Sequence, residues 1–318
     1  MPDDFSQITL SVRKLSKAYG DLKAVHNLTL DIFKGEVFGF LGPNGAGKTT
    51  TIHMICGLLR NDSGEVIIQG KSLNQHYREC KLSLGLCPQN LIIWESLTCL
   101  EQLEFMASQY NVSRRIIGKR ARELLDILGL YDKRHKLAKT LSGGMKRRLN
   151  FALGIVHDPD IIILDEPQAG LDPQSRLLVR EYIRSLARRK TIILTTHEMH
   201  EADQLSDRIA IIDHGQLLVL DTPAELKNRM GQGDILEILI VPGQQKKAAA
   251  FLKMLPEKFK HLSLHNNCLQ LVDTGILDIL PQLIEMLSEG GIKTEDIKIR
   301  KKTLEDVFIS LTGRRLRE

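Results

Sequence analysis

Long apolar runs and paired cysteines are absent from this sequence, and each absence excludes a class of protein. A membrane-spanning helix needs about 20 consecutive, mostly apolar residues, whereas the longest apolar runs, at Ile161–Leu164 and Ile192–Leu194, are far shorter. The five cysteines are odd in number and form no Cys-x-x-Cys pair, which favours reduced thiols over disulfides or a zinc site. Residues 1–10 lack the cationic start and apolar core of a secretory leader. We therefore expect neither a membrane-spanning nor a secreted, disulfide-bonded protein.

Aromatic side chains are also scarce, at 5% of the chain, and the excess of positive charge is small. The sequence has 44 Lys and Arg against 39 Asp and Glu, a net charge of +5, but the stretch from Arg114 to Arg148 holds twelve basic and three acidic residues. Such a stretch either solvates a helical face or attracts an anionic partner. Proteins that bind single-stranded nucleic acid stack its bases on aromatic side chains, and Tyr131 is the only aromatic residue there. We therefore expect no nucleic-acid partner.

The remaining composition is that of a globular protein, and 318 residues suffice for two domains. Alternating apolar residues at Ile8–Val12 and Leu28–Ile32 predict antiparallel strands. Four unbroken apolar runs predict strands of a parallel sheet that is covered on both faces. These runs are Glu36–Leu41, Ile161–Leu164, Thr191–Leu194 and Ile209–Ile212. Residues 97–148 are expected to form a helical insertion.

A second, smaller domain is predicted after the glycine-rich stretch Met230–Gly233, so that the two domains span 6–230 and 233–318. Its apolar patterns predict the order βαββαβ, which is that of a ferredoxin-like α+β fold. A final helix is expected over Leu304–Leu311, where apolar residues recur at helical spacing. The predicted architecture is an α/β domain with an antiparallel β subdomain and a helical insertion, followed by a small α+β domain.

The most specific motif is a glycine-rich loop between a predicted strand and a helix. Residues Gly42–Thr49 match G-x-x-x-x-G-K-[ST] in the strand–loop–helix context that this motif requires. Its glycines let backbone N–H groups converge on phosphate oxygens, and the helix N-terminus adds a favourable dipole. Lys48 is expected to neutralise the β- and γ-phosphates of a nucleotide, and the Thr49 hydroxyl to bind Mg²⁺.

Two acidic residues follow the apolar run that ends at Leu164. Asp165 is expected to hold Mg²⁺ beside the phosphate loop, and Glu166 to act as the general base that activates water. A strand-end pair of this kind is by itself more often a cap or a solvated turn, and only the phosphate loop makes it a strong indication. Upstream, the segment Ser142–Gly144 at a predicted helix start offers a second anion-binding N-terminus, with Ser142 as the cap.

In their order along residues 6–230, these motifs resemble those of the ATP-binding-cassette (ABC) ATPases. Leu141–Met145 is similar to the family's Leu-Ser-Gly-Gly-Gln signature, with Met145 in the place of the glutamine, and Gly170–Asp172 resembles the loop that couples two sites. The departure at Met145 removes a polar side chain from the signature but leaves its backbone donors and Ser142 in place. The resemblance therefore implies an ATPase with ATP and Mg²⁺ as cofactors.

The resemblance also implies roles for individual residues. Gln89 is similar to the glutamine that contacts Mg²⁺ and the attacking water, His197 to the histidine that senses the γ-phosphate, and Tyr19 to the aromatic residue that stacks on adenine. The expected catalytic residues are Glu166, His197 and Gln89, and the expected metal ligands are Thr49, Gln89 and Asp165. The expected nucleotide-binding residues are Tyr19, Gly42, Pro43, Asn44, Gly45, Ala46, Gly47, Lys48, Thr49, Thr50, Ser142, Gly143 and Gly144.

Partners follow from the same resemblance. In the family, the signature of one copy faces the nucleotide of a second copy in a head-to-tail dimer, and the ATPases act on an integral membrane permease. Residues Lys302–Gly313 resemble the C-terminal ending of drug- and antibiotic-exporter ATPases of the daunorubicin-resistance kind, although an amphipathic helix that docks on the small domain would explain them as well. We expect a cytoplasmic protein held at the inner face of the cell membrane by a separate permease.

Two other functions compete with that of a transporter subunit. An unrelated P-loop enzyme such as a kinase does not explain the whole series of motifs. The alternative is a non-transport ABC ATPase that acts on nucleic acid or ribosomes, but its repair types insert long coiled coils and its translation types carry two cassettes. Here Gly47 and Ser142 are only 95 positions apart (142 − 47), without heptads, and there is one phosphate loop. We therefore predict the ATP-hydrolysing subunit of an exporter of drugs, lipids or other hydrophobic substrates.

Overall fold

The computed structural model of the chain describes residues 7–252, 254–256, 259 and 262–313. The chain divides into two units, of which the first ends at Pro223 and the second begins at Ala224. This division comes shortly before the stretch 230–233, where the sequence predicts a linker. Among the helices that the structure describes, none is long and apolar enough to cross a membrane.

An antiparallel sheet occupies the start of the first unit. Its strands, in the order β2-β1-β4-β5, are β1 (Ile8–Tyr19), β2 (Leu22–Phe33), β4 (Ser63–Ile68) and β5 (Lys71–Ser72). β1 and β2 extend well beyond the alternating patches that predicted them, and their pairing contains four register shifts. Because each shift interrupts the period of two, the sequence pattern shows only part of each strand.

The second sheet of the first unit has six strands and is parallel apart from one edge strand. In the order β10-β9-β3-β8-β7-β6, it contains β3 (Val37–Leu41), β6 (Leu84–Cys87), β7 (Ile161–Asp165), β8 (Thr191–Thr196), β9 (Arg208–Asp213) and β10 (Gln216–Asp221). Ile161 and Ile163 of β7 face one hydrophobic core, and Ile162 and Leu164 face another. The parallel strands are therefore covered on both faces, as the unbroken apolar runs predicted.

Helices pack around these sheets and form the predicted insertion. They are α1 (Lys48–Ile55), α2 (Tyr77–Leu82), α3 (Cys99–Ser108), α4 (Arg114–Ile127), α5 (Gly143–Ile155), α6 (Pro173–Leu186) and α7 (Met199–Leu205). The insertion consists of α3, α4 and the start of α5, and short 3-10 turns precede α5. A capping box between Thr98 and Glu101 begins α3, and α4 buries Ile117, Ala121 and Leu124 on one face.

The second unit has the predicted βαββαβ order of elements. These are β11 (Asp234–Ile240), α9 (Gln245–Leu252), β12 (Ser263–His265), β13 (Cys268–Asp273), α10 (Ile276–Glu289) and β14 (Thr294–Arg300). The helix α8 (Pro223–Asn228) precedes them and α11 (Leu304–Thr312) follows them. The sheet is antiparallel, in the order β12-β13-β11-β14. Leu236 and Ile238 of β11 form a core with Ala248 of α9 and Leu283 of α10, so both helices cover one face of the sheet.

Charged groups fix the start of α11. Arg300 donates to both carboxylate oxygens of Asp306 at 2.7 Å and to Oε1 of Glu237 at 2.7 Å, while Thr303 and Asp306 form a capping box. Burial tends to raise the pKa of Asp306, but hydrogen bonds from Arg300 and Thr303 lower it overall. Leu304, Val307 and Phe308 of α11 are buried, so the predicted amphipathic helix forms and buries its apolar face.

Candidate active site

The phosphate loop connects β3 to α1. Gly47, with φ of 101°, precedes the first turn of α1, and a Cβ on it would lie 2.2 Å from the carbonyl oxygen of Ala24. A Cβ on Gly42 would likewise lie 2.3 Å from the carbonyl oxygen of Ile212. Because neither position has room for a side chain, neighbouring backbone fixes the loop against β2 and β9.

Lys48 lies across this loop with its side chain buried. Its Nζ donates to the carbonyl oxygens of Gly42, at 2.7 Å, and Pro43, at 3.0 Å. Burial lowers the pKa of Lys48, and the nearby carboxylates of Glu166 and Asp165 oppose that shift. A positive group held only by neutral carbonyls can exchange them for the charged oxygens of a phosphate, which form stronger hydrogen bonds.

Asp165 and Glu166 follow one another at the carboxyl end of β7, beside the end of β8. Asp165 is 2% exposed and accepts a short hydrogen bond from the Thr195 hydroxyl. The backbone N–H of Glu166 points to the carbonyl oxygen of Thr195, at 3.2 Å, and to its hydroxyl, at 3.1 Å. Parallel pairing of β7 with β8 places Asp165 opposite Thr195, so the sheet itself positions both acidic residues.

The side chain of Glu166 lies between two other residues that the sequence assigns to catalysis. Its Oε2 accepts from Nε2 of Gln89 at 3.0 Å, and its Oε1 lies 2.9 Å from Nδ1 of His197. The structure therefore brings together three residues that are distant in sequence. A carboxylate held in this way has a fixed orientation and two polar neighbours, which is what a general base needs in order to act on a bound water.

The signature residues lie at the start of α5. Ser142 is the N-cap, and its Oγ accepts from the backbone N–H of Met145 at 3.3 Å. Gly143 is exposed with open space around it, whereas a Cβ on Gly144 would lie 3.1 Å from Oδ2 of Asp172. Within the described residues, no hydrogen bond joins these three to the phosphate loop. The start of α5 is thus open to another molecule.

Tyr19 ends β1 and is 51% exposed. It pairs with Leu22 across the turn to β2, and Ala24, two residues further, is the neighbour of Gly47 noted above. Tyr19 is thus an exposed ring at the end of the hairpin whose second strand carries Ala24. The Nζ of Lys17 lies 5.9 Å from the centroid of this ring.

Two residues with polar contacts in the site were not singled out by the sequence. Thr195 binds both acidic residues, and its position one residue before the end of a buried strand was a possible signal. Arg147 donates from Nη2 to the carbonyl oxygen of Glu166 at 2.7 Å and from Nη1 to that of Gln89. These partners are 19 and 58 positions away, so no local pattern could have indicated them.

The donors expected to hold Mg²⁺ are a hydroxyl of Thr49, an amide oxygen of Gln89 and the carboxylate of Asp165. Mg²⁺ prefers oxygen ligands and is commonly held by one or two carboxylates together with substrate phosphates and water. Among the residues that the structure describes, no group of three His, Cys, Asp or Glu side chains could hold a metal ion. The chemistry of the donor set, a hydroxyl, an amide oxygen and one carboxylate, fits a magnesium ion that also binds phosphate oxygens and water.

Comparisons with known proteins identify the family of the chain. The family model described as "ABC transporter" matches residues 25–169. The linearmycin resistance ATP-binding protein of Bacillus subtilis is 35% identical over 97% of this chain and 100% of its own length. A daunorubicin resistance ATP-binding protein of Streptomyces coeruleorubidus is 36% identical, over 97% and 98%. Among solved structures, a dimeric ATP-binding cassette in a post-hydrolysis state with ADP and Pi is 25% identical with a TM-score of 0.62, over 67% of this chain and 98% of that one.

Proposed function

The chain belongs to the family of ABC transporter ATP-binding proteins and is an ATPase, and on that premise we propose that it drives export through a separate membrane permease. The observation that carries the hydrolytic part of this proposal is the carboxylate of Glu166, held between Gln89 and His197 and close enough to Lys48 of the phosphate loop to influence its pKa. Relatives named for drug resistance support export as the direction of transport. They do not favour the alternative of an ATPase that acts on nucleic acid or ribosomes.

ATP binds to the first unit through its phosphates and its base. The backbone N–H groups of Gly42–Thr50 surround the β-phosphate, and Lys48 leaves its two carbonyl partners to bind the β- and γ-phosphates. The ring of Tyr19, which is 51% exposed, stacks on adenine, as the resemblance to ABC ATPases implies. The site thus binds the triphosphate through charge and hydrogen bonds, and the adenine through stacking.

Hydrolysis uses the residues around Glu166. This carboxylate accepts a proton from the water that attacks the γ-phosphate, while the Gln89 amide orients the water and His197 contacts the γ-phosphate. Thr49, Gln89 and Asp165 would hold Mg²⁺, which would supply positive charge beside the phosphate oxygens. The buried Thr195 hydroxyl keeps Asp165 in the orientation needed for that role.

A second copy of the chain completes each site. Ser142 and Gly143 are exposed at the N-terminus of α5, where free backbone N–H groups attract an anion. In a head-to-tail dimer, Ser142, Gly143 and Gly144 contact the γ-phosphate that is bound to the other copy. The similarity to a dimeric cassette with ADP and Pi supports this arrangement. ATP then holds the dimer closed, and its hydrolysis releases it.

The membrane part of the transporter is a different chain. We propose that this ATPase lies at the inner face of the cell membrane, attached to that permease, as its membership of the ABC transporter family supports. The domain from 233 to 318 has an accessory role in dimer contacts or regulation. No catalytic cluster was evident in its sequence.

The test of this function is the substitution Glu166→Gln, which keeps the shape of the side chain but removes the proton acceptor. We expect ATP to bind with unchanged affinity and the hydrolysis rate to fall by about 10² to 10⁴-fold. A matched control is Glu123→Gln on α4, whose exposed carboxylate lies 3.7 Å from Lys119 and which should keep the wild-type rate. Turnover at the wild-type rate in the Glu166 variant would refute the assignment of the base.

A further inference from the structure

Arg147 links the signature helix to two residues of the catalytic site. It lies on α5, three positions after Gly144, and its guanidinium donates to the backbone carbonyl oxygens of Gln89 and Glu166. The hydrogen bond to Glu166 is 2.7 Å long. Both acceptors are main-chain atoms, so Arg147 fixes the backbone positions of Gln89 and Glu166 and does not itself occupy their side chains.

The backbone of Glu166 needs such support because its conformation is unfavourable. Its φ of 50° lies in the left-handed region, which costs a residue other than glycine about 1 to 3 kcal/mol and persists only where the surroundings hold it. On one side, the N–H of Glu166 is bonded to Thr195 of β8. On the other side, its carbonyl is bonded to Arg147. The residue is thus held from both sides.

We propose that Arg147 is a positioning residue that fixes the backbones of Gln89 and Glu166, so that the Glu166 carboxylate lies between Gln89 and His197. The inference rests on the proposed role of Glu166 as the general base. An arginine suits the task because its planar guanidinium donates to two acceptors at once in a fixed geometry, whereas a lysine has a single nitrogen on a flexible chain.

This arrangement has a consequence for a dimer. Residues Ser142–Gly144 and Arg147 lie within the first turns of the same helix, so a movement of α5 displaces all of them together. Arg147 already holds the backbones of Glu166 and Gln89 in the single chain. A displacement of the start of α5 on binding the nucleotide of a second copy would therefore reach both residues of the same chain through Arg147.

The first test replaces Arg147 with Met, which keeps the length of the side chain but cannot donate. Because a misplacement of about 1 Å can cost 10²-fold in rate, we expect kcat for ATP hydrolysis to fall by about 30- to 100-fold. The affinity for a non-hydrolysable ATP analogue should change by less than about threefold, since Arg147 does not face the nucleotide. Arg147→Lys should recover part of kcat, because its ammonium can still donate to one of the carbonyls.

Arg120→Met on α4 is the matched control. Its guanidinium binds Asp158 at 2.7 Å, and its Nε, like that of Arg147, is buried without a partner among the described residues. The two variants therefore lose comparable contacts, but only Arg147 touches the site. We expect Arg120→Met to lower thermal stability and to leave kcat within about twofold. An unchanged kcat in Arg147→Met would overturn the proposal, as would equal losses of kcat and analogue affinity.

A double variant separates this inference from the proposed function. If Arg147 acts through Glu166, adding Arg147→Met to Glu166→Gln should leave the residual rate unchanged within about twofold, since residues that act as a unit are not additive. A further large drop would contradict the inference. If Glu166→Gln itself keeps turnover, the assignment of the base fails and the inference with it. If Glu166→Gln abolishes turnover while Arg147→Met does not reduce it, only the role of Arg147 is wrong.

Discussion

Lys48 of the first unit and Arg300 of the second unit have different kinds of partner. In the first unit, the Nζ of Lys48 is bonded to two neutral carbonyl oxygens, and two carboxylates nearby raise its pKa against the effect of burial. In the second unit, Arg300 is bonded to the carboxylates of Asp306 and Glu237. A cation with neutral partners is available to an anionic ligand, whereas one already paired with two anions serves the fold.

Glu166 and Gly313 differ in how their left-handed backbone conformation is accommodated. Glu166 has a left-handed conformation without being a glycine; its N–H donates to Thr195 and its carbonyl oxygen accepts from Arg147. In the second unit, the left-handed end of α11 is at Gly313, where the conformation costs little. Other non-glycine residues of the first unit, such as Lys14, Gln69 and Arg188, are also left-handed, but Glu166 is the one whose side chain lies between Gln89 and His197.

The largest expected effect comes from Lys48→Met, which tests whether Lys48 is available to bind an anionic ligand. Loss of a positive group that stabilises transferred phosphate charge should reduce kcat/KM for ATP by about 10² to 10³-fold. Stability should be unchanged or slightly higher, because a buried ammonium with a lowered pKa is removed. ATP hydrolysis assays and thermal unfolding measure the two effects. A variant that hydrolyses ATP at the normal rate but is less stable would show that Lys48 stabilises the fold and does not bind the nucleotide.

Arg300→Met is the corresponding substitution in the second unit and should have the opposite outcome. It leaves the partly buried carboxylates of Glu237 and Asp306 without their shared cation, and we expect a loss of about 2 to 3 kcal/mol in the stability of this unit. Hydrogen exchange of β11 and β14 should accelerate, while exchange of β7 and β8 and the affinity for ATP stay unchanged. Unaltered exchange in β14 would show that the ion network contributes little.

A smaller effect is expected at Glu201, a buried carboxyl group of the first unit that neither belongs to the proposed site nor is paired with a cation as Asp306 is with Arg300. Burial, together with the nearby Glu198, raises its pKa from 4.5 to about 7, and Oε1 has no partner within the described part of the chain. The folded protein therefore retains a proton that the unfolded chain loses between about pH 4.5 and 7. Its contribution to stability consequently declines as the pH rises through that window.

The substitution Glu201→Gln, which replaces the carboxyl group by a neutral amide, should remove the contribution of this residue to the pH dependence of stability. We expect the variant to be more stable than the wild type by about 2 kcal/mol at pH 8 and nearly equal to it at pH 4.5, as measured by urea unfolding. Part of the wild-type slope should remain, because burial also raises the pKa of Glu36 to about 7. A variant less stable than the wild type at pH 8 would mean that the ionised carboxylate is favourable.

How much the sequence predicts differs between the two units. The βαββαβ order of the second unit and the phosphate loop of the first follow from local patterns, because alternation, helical spacing and glycine positions act over a few residues. The contact of Glu166 with Gln89 spans 77 positions and was not predicted; resemblance to a family only assigned both residues to the attacking water. The full lengths of β1 and β2 were missed, since register shifts break their alternation.

The role of Arg147 lay beyond sequence reasoning for a related reason. The basic residues from Arg114 to Arg148 predict a charged stretch but do not distinguish a solvated side chain from one that bonds two carbonyls of the site. Arg114 and Arg115 are exposed, whereas Arg147 is partly buried between β7 and the segment after β6. Only packing of α5 against these elements decides which side chain reaches the site.

The central claim is that ATP joins two copies of this chain and that Glu166 ends that state by hydrolysis. It is tested most directly by the molar mass of Glu166→Gln in solution, measured by light scattering during size-exclusion chromatography with and without ATP and Mg²⁺. The account predicts the 35.9 kDa of a single chain without ATP and twice that mass with ATP, with two nucleotides per dimer. A variant that binds ATP and yet remains at the mass of one chain would contradict it.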